Sequence, residues 1–291
     1  MLRSGGLIGL PTETVYGLAA DASNDAAVRR IFAAKGRPAD HPLIVHLAHA
    51  ADMPAWASSV PTSAAVLAEA CWPGPLTVLV PRAASVLDLV TGGRDTVGLR
   101  VPAHPMALEV LRRFGGGLAA PSANRFGRVS PTTAAHVVAD LGDAVDFVLD
   151  GGASPIGVES TIVDCTVSPA QILRPGGIAD EDISRLLDIT TPSGPSRASG
   201  MLASHYAPSA RVVLADTLAE AEVLAATMAD DGWVVDVIDP ATDLVRAAHE
   251  LYVWLRAADE RGLDALIAVL PPPIGLGHAI RDRLVKAAGL G

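Results

Sequence analysis

The chain has little of what most quickly signals a function. Its 291 residues hold two cysteines, Cys71 and Cys165. Two isolated thiols make neither a disulfide framework nor a zinc site, and their apolar neighbours mark them as inert buried thiols. Aromatic residues are 4% of the chain, so a core must be built from Ala, Val, Leu and Ile. Of the 22 basic residues only two are lysine, against 32 acidic ones, for a net charge of −10. That balance excludes a surface that grips nucleic-acid phosphate along its length, but leaves room for a small basic pocket. No apolar run approaches the roughly 20 residues of a membrane span. The opening residues lack the apolar stretch and cleavage site of a signal peptide. A cytoplasmic protein in a reducing compartment is expected. Three motifs are also missing: the phosphate loop Gly-x-x-x-x-Gly-Lys-Ser/Thr, the zinc-peptidase pair His-Glu-x-x-His, and the nucleophile elbow Gly-x-Ser-x-Gly.

What is present is half hydrophobic, with 27 glycines and 22 prolines. Length predicts two domains, and the apolar content excludes a disordered chain. The chain opens almost inside a strand at Leu7–Leu10, an abrupt start consistent with a missing upstream helix. Spacing predicts a helix from Asn24 or Asp25 to Lys35, with Val28, Ile31 and Phe32 on one face and Gly36 as its stop. Further strands are expected at 43–47, 76–80, 95–101, 118–120, 147–149, 160–163 and 171–173, and further helices at 63–71 and 105–114. Ser130 is expected to cap a helix over 131–140, with Pro131 in its first turn. Strands and helices mix irregularly, which suggests an α/β class of α+β character with a twisted sheet. Residues 191–209 are rich in Pro, Ser and Gly and form an expected linker. Beyond it, strands at 211–215, 233–238 and 263–270 alternate with helices at 217–230, 242–257 and 277–288. That alternation describes a small three-layer unit with a parallel sheet, with Trp233 and Trp254 in its core. The expected domains are therefore 1–190, the linker 191–209, and 210–291.

In so acidic a chain the placing of the basic residues is informative. Lys35 and Arg37 end a helix beside Gly36 and Pro38. Arg100 closes one strand, and Arg174 closes another before Pro175-Gly176-Gly177. Four cations from distant segments suit a polyphosphate or a carboxylate, which Arg binds in two-pronged fashion and Lys as a point charge. Hydroxyl groups are the second signal: Thr12 and Thr14 around Glu13, Ser122 in a Pro-Ser-Ala-Asn turn, Ser130, and Glu159-Ser160-Thr161. The residues alone thus indicate a two-domain protein with an anion-binding pocket in its first domain.

Seven motifs in order then carry a resemblance. They are Pro11-Thr12-Glu13-Thr14-Val15-Tyr16-Gly17-Leu18, Lys35-Gly36-Arg37-Pro38, Trp72-Pro73-Gly74-Pro75-Leu76-Thr77, Gly98-Leu99-Arg100-Val101-Pro102, Pro121-Ser122-Ala123-Asn124, Gly157-Val158-Glu159-Ser160-Thr161-Ile162 and Leu173-Arg174-Pro175-Gly176. Together they resemble the L-threonylcarbamoyladenylate synthase family, whose catalytic module has the YrdC-like fold. The resemblance covers residues 5 to about 188. It resumes at His205-Tyr206-Ala207-Pro208, Gly275-Leu276-Gly277 and Asp282-Arg283-Leu284, as in the long form of the family with its small C-terminal α/β domain.

The resemblance implies that L-threonine, bicarbonate and ATP give threonylcarbamoyl-AMP and pyrophosphate. Mg²⁺ would accompany ATP, and a downstream threonylcarbamoyl transferase would carry the product to tRNA. By motif position, Thr14, His46, Arg100, the backbone at Ala120, and Ser160 would hold threonine. Lys35, Arg37, His41, Thr96, Ser122, Ser130, Arg174 and Tyr206 would hold ATP, with Tyr206 closing a linker lid over the nucleotide. His41 stands where the family usually has Asn. No catalytic side chain is implied beyond positioning, no protein-held metal, and no membrane or strong nucleic-acid contact. One alternative is an RNA-binding translation or ribosome-assembly factor on the same fold, which the net charge of −10 disfavours. Another is a carbamoyl-transfer enzyme of hydrogenase maturation, which two cysteines cannot supply with zinc fingers.

Overall fold

The structure is a computed structural model and describes residues 1–190 and 206–290. The expected linker falls largely on 191–205, outside the described residues. Residues 1–190 build one mixed sheet of ten strands. Its order is Ile189–Thr190, Ala170–Arg174, Thr161–Asp164, Leu76–Pro81, Thr96–Arg100, Ile44–His46, Leu118–Ala119, Gly17–Asp21, Ile8–Leu10 and Phe147–Val148. The two strands flanking Leu76–Pro81 run in opposite senses, Thr96–Arg100 antiparallel to it and Thr161–Asp164 parallel.

Side chains alternate across this sheet as the pleat requires. Leu18 and Ala20 enter the core under the helices Asp25–Lys35 and Thr62–Cys71, while Ala19 joins Ile8, Leu10 and Leu118 under the helix Pro105–Phe114. The first helix follows its sequence signals. Asn24 accepts from the Ala27 amide, Val28, Ile31 and Phe32 are buried, and Gly36 takes the left-handed conformation at φ +62°. Two strands were not foreseen, Gly17–Asp21 and Ile189–Thr190, nor was the helix Asp180–Leu186. The run Leu18-Ala19-Ala20 is small and apolar throughout, so it shows no period of two.

One helix start differs from expectation. The helix spans Ala134–Leu141, and Thr133, not Ser130, accepts from the His136 amide as its cap. The backbone of 131–132 is already spent elsewhere: the Pro131 carbonyl accepts from the Tyr16 amide and the Thr132 carbonyl from the Ser154 amide.

The C-terminal unit has a three-stranded parallel sheet, ordered Arg211–Ala215, Ala265–Val269, Val235–Ile238. The helix Leu218–Asp230 covers one face and the helices Leu244–Glu260 and Gly277–Ala287 the other, which gives three layers. Trp254 packs against this core, whereas Trp233 is exposed. The Gly275–Gly277 turn starts the last helix, with the Gly277 amide donating to the Ile274 carbonyl.

The two units share an apolar cluster in which Val15, Val129 and Val158 meet Tyr206, Ala248, Tyr252 and Leu255. Gly157 makes the contact possible. Its φ is +84°, and a Cβ there would lie 2.4 Å from the Ala248 carbonyl oxygen. Arg256 adds a half-buried ion pair to Asp140 at 2.7 Å. Among the described residues no helix is long and apolar enough to cross a membrane.

Candidate active site

At the middle of the large sheet, strand ends and turns form a partly open cleft. Its lining includes Thr14, Arg37, His46, Arg100, Ala120, Ser122, Ser160, Arg174 and Tyr206. Nine of the residues singled out by motif position thus meet in one cavity, although 192 positions separate the first from the last. Strand register does part of this work, since His46 pairs directly with Arg100 across parallel strands.

Arg100 is buried and is not a lone cation. Its Nη2 donates to Glu13 Oε1 at 2.6 Å and its Nε to the Gly74 carbonyl at 3.2 Å. Glu13 Oε2 also accepts from the Ala103 amide. The carboxylate therefore fixes one edge of the guanidinium. His46 is fully buried beside it. Burial, reinforced by the Arg100 charge, pushes its imidazole down to about 3, so it is neutral at physiological pH. Its Nδ1 is buried and has no hydrogen-bond partner among the described residues. Such an atom is costly unless a ligand meets it.

On the opposite side, Arg174 donates from Nη2 and Nε to the Ser160 carbonyl at 2.8 and 3.2 Å. Ser160 Oγ lies 2.8 Å from Thr77 Oγ1, which sets its rotamer. Arg37 donates to the Pro42 carbonyl and stacks over the Phe126 ring at 5.6 Å, while its Nε has no partner among the described residues. Burial lowers Arg37 to about 10, which leaves it charged. Tyr206 has φ +64°, stacks on Tyr252 at 5.7 Å and lies under the Arg283 guanidinium. It therefore both docks against the C-terminal unit and lines the cleft.

Four expected residues do not line the cleft. Lys35 is buried with its Nζ turned to the carbonyls of Ser122 and Asn124, both at 2.6 Å. It holds the Pro-Ser-Ala-Asn turn from behind. Burial, then the neighbouring Arg37, lowers its ammonium well below the ordinary value. Ser130 donates to Glu159 Oε1 at 2.6 Å. His41 packs edge-on against Phe126 at 5.2 Å. Thr96 pairs with Pro81 at the far end of the strand from Arg100, about 13 Å away at the usual rise per residue.

Glu13 and Glu159 stand within the sequence motifs, which assign them no role. Their position beside hydroxyl residues in turns was the available signal. Glu159 is buried and accepts from Ser130, Tyr252 and Arg283. Burial would raise its carboxyl, but Arg283 and Arg174 hold it down to about 2. Both carboxylates of the site are thus committed to protein donors. Among the described residues no group of His, Cys, Asp or Glu is placed to hold a metal ion. The thiols lie elsewhere, and burial raises Cys165 to about 12. Among the described residues the cleft is therefore a set of guanidinium groups, hydroxyls, backbone groups, one neutral imidazole and the hydrogen-bonded Glu159 carboxylate, with no activated nucleophile. It can bind and orient anions.

Two family models match the chain, one described as telomere recombination over residues 1–176 and one as the threonylcarbamoyl-AMP synthase C-terminal domain over 178–289. The threonylcarbamoyl-AMP synthase of Pyrococcus abyssi is 40% identical over 99% of this chain and 92% of its own length. That of Bacillus subtilis is 39% identical, over 99% and 91%. A crystal structure of P. abyssi Sua5 complexed with L-threonine superposes with a TM-score of 0.94 at 40% identity, covering 99% of this chain and 92% of that one.

Proposed function

The chain belongs to the threonylcarbamoyl-AMP synthase family, and on that premise we propose that its cleft joins L-threonine, bicarbonate and ATP into threonylcarbamoyl-AMP. It is an enzyme that transfers an adenylyl group, and its family serves tRNA modification. Bicarbonate first adds to the threonine amine with loss of water. An oxygen of the resulting N-carboxylate attacks the α-phosphorus of ATP, the bond from that phosphorus to the bridging oxygen breaks, and pyrophosphate leaves with the electron pair. A separate transferase then takes the threonylcarbamoyl group.

Three guanidinium groups from distant segments, Arg37, Arg100 and Arg174, line one cleft with no nucleophile among them, and this observation carries the proposal. Arg100, held along one edge by Glu13, takes the threonine carboxylate. Thr14, His46, Ser160 and the Ala120 backbone surround it. Neutral His46 offers a hydrogen bond without adding charge. Arg37, Ser122, Arg174 and Tyr206 face the nucleotide. Lys35 and Ser130 act from behind, on the Ser122 turn and on Glu159. Mg²⁺ enters with ATP as part of the substrate, held by phosphate oxygens and water, since Glu13 and Glu159 are both engaged with protein donors. Catalysis is by positioning and by matching charge that develops on phosphate. An intermediate as labile as an acyl phosphate anhydride survives best in a site without competing nucleophiles. The test is pyrophosphate release from ATP, expected only when threonine and bicarbonate are both present. Release that ignores threonine would overturn the proposal.

A further inference from the structure

Thr12 and Thr14, on either side of Glu13, are both buried and both line the cleft. A threonine hydroxyl owns a single proton and two lone pairs, so its hydrogen bonds can be assigned by counting. Thr12 Oγ1 donates to the Val15 carbonyl at 2.6 Å, and a carbonyl can only accept. Its proton is therefore spent. The Thr14 and Val15 amides, each at 3.3 Å, share one of its lone pairs. Thr14 Oγ1 stands 2.9 Å from Thr12 Oγ1, and the donor of that bond must be Thr14. The Thr14 proton is then spent as well. Among the described residues the Thr14 hydroxyl has no other partner, so it presents lone pairs alone to the cleft.

Glu13 does not disturb this assignment. Its carboxylate is engaged by Arg100 and the Ala103 amide, and its carbonyl accepts from the Ile156 amide. The polarity of Thr14 is thus set by the protein before any substrate arrives. A fixed acceptor has a narrow choice of partner here. Phosphate and carboxylate oxygens only accept, and it repels them. Of the groups on threonine, the amine donates and the side-chain hydroxyl does either. The amine sits on the carbon that bears the carboxylate taken by Arg100. That nitrogen must also offer its lone pair to the bicarbonate carbon. An N–H held by an acceptor leaves the lone pair free, whereas a donor at the same point would cover it.

We propose that Thr12 is a positioning residue: by taking the Thr14 proton it fixes Thr14 as an acceptor for the threonine amine and keeps the nitrogen lone pair uncovered. The inference rests on the reading of the cleft as a threonine site. A residue that merely holds the turn and one that sets the polarity of Thr14 differ in one way. Loosening the turn weakens every ligand of the subsite alike. Freeing the Thr14 proton weakens only those ligands that carry the amine.

The experiment compares wild type, Thr12→Val and Thr12→Ser. Titration calorimetry, with displacement of threonine for weak ligands, gives the affinity for three probes. These are L-threonine, (R)-β-hydroxybutyrate, which lacks the amine, and L-α-aminobutyrate, which lacks the hydroxyl. Wild type should prefer threonine to (R)-β-hydroxybutyrate. In Thr12→Val that preference should shrink roughly 5- to 10-fold, the worth of one hydrogen bond, while the preference over L-α-aminobutyrate and the ATP affinity stay unchanged. Thr12→Ser keeps the hydroxyl and should keep the wild-type preference. The comparison is a cycle over protein and ligand, so a general loss of affinity cancels. Equal weakening of threonine and (R)-β-hydroxybutyrate overturns the proposal. So does a loss of preference over L-α-aminobutyrate alone, which would assign Thr14 to the substrate hydroxyl. If Thr12→Val does not fold, Thr12→Cys, with its weak acceptor in the same place, decides by the same comparison. Failure of both to fold while Thr12→Ser folds would confine Thr12 to the turn and overturn the proposal. Wild type that neither binds threonine nor releases pyrophosphate in response to it would instead sink the functional reading.

Discussion

Replacing Lys35 with methionine separates two readings of one residue. As a phosphate ligand, Lys35 would matter for ATP and little for folding. In the structure its Nζ lies 2.6 Å from each of two carbonyl oxygens, those of Ser122 and Asn124, and its own carbonyl accepts from the Phe126 amide. The residue therefore staples the whole 122–126 turn to the end of the helix Asp25–Lys35. Methionine keeps the apolar stem and removes only the ammonium. Hydrogen bonds to a charged group contribute about 1.5–3 kcal/mol each, so the two are worth roughly 3–6 kcal/mol. Relief of the buried ammonium offsets part of this and favours the lower end, about 3 kcal/mol. At about 2–4 °C per kcal/mol for a domain of this size, the melting temperature should fall by roughly 6–12 °C. Scanning calorimetry at pH 7, with and without ATP, is the assay. Because Ser122 faces the cleft, ATP affinity should fall as well. A variant that melts within about 2 °C of wild type while losing ATP would refute the staple and restore Lys35 as a direct ligand.

Three further outcomes follow from the geometry. His46 is held down to about 3 when folded against an ordinary 6.5, so the unfolded chain takes up the extra proton: stability is complete above pH 6.5 and drains as pH falls toward 3. Between pH 6.5 and 5 the loss should be about 2 kcal/mol at 1.36 kcal/mol per unit, and melts of His46→Gln over that window should show a flatter profile. Arg100→Lys keeps a charge against Glu13 but loses the planar fork; the KM for threonine should rise roughly 10- to 100-fold, the worth of one charge-assisted bond, with ATP affinity retained in a separate titration. Gly176→Ala would place a Cβ 2.3 Å from the Thr161 amide nitrogen and 2.4 Å from the Glu159 carbonyl oxygen. Displacing that segment should weaken both substrates and cost about 1–3 kcal/mol, measured by paired titrations and a melt; an unaltered enzyme would contradict the close approach.

Local signals were legible where a residue acts on its own neighbours. Asn24 and Gly36 bracket a helix because a cap and a left-handed stop depend on adjacent backbone. The three alternating strands and helices of the C-terminal unit were visible for the same reason. Ser130 misled because the cap position was judged from Ser-Pro alone, while pairing of the 131–132 backbone with Tyr16 and Ser154 decided where the helix begins. Lys35 misled similarly. Its motif marks a basic loop, but the direction of one ammonium depends on which carbonyls face it across 87 residues.

By itself the sequence determined the class of the fold, the division into a large mixed unit and a small parallel one, and a set of cations and hydroxyls suited to anions. These are properties of composition and short-range pattern. Tertiary structure alone decided how those groups are paired. Glu13 meets Arg100 over 87 residues and Glu159 meets Arg283 over 124. Whether a charged side chain binds a ligand or satisfies a neighbour is settled by who stands within about 3 Å of it in a water-poor interior, and strand order and domain docking set that proximity, not spacing along the chain.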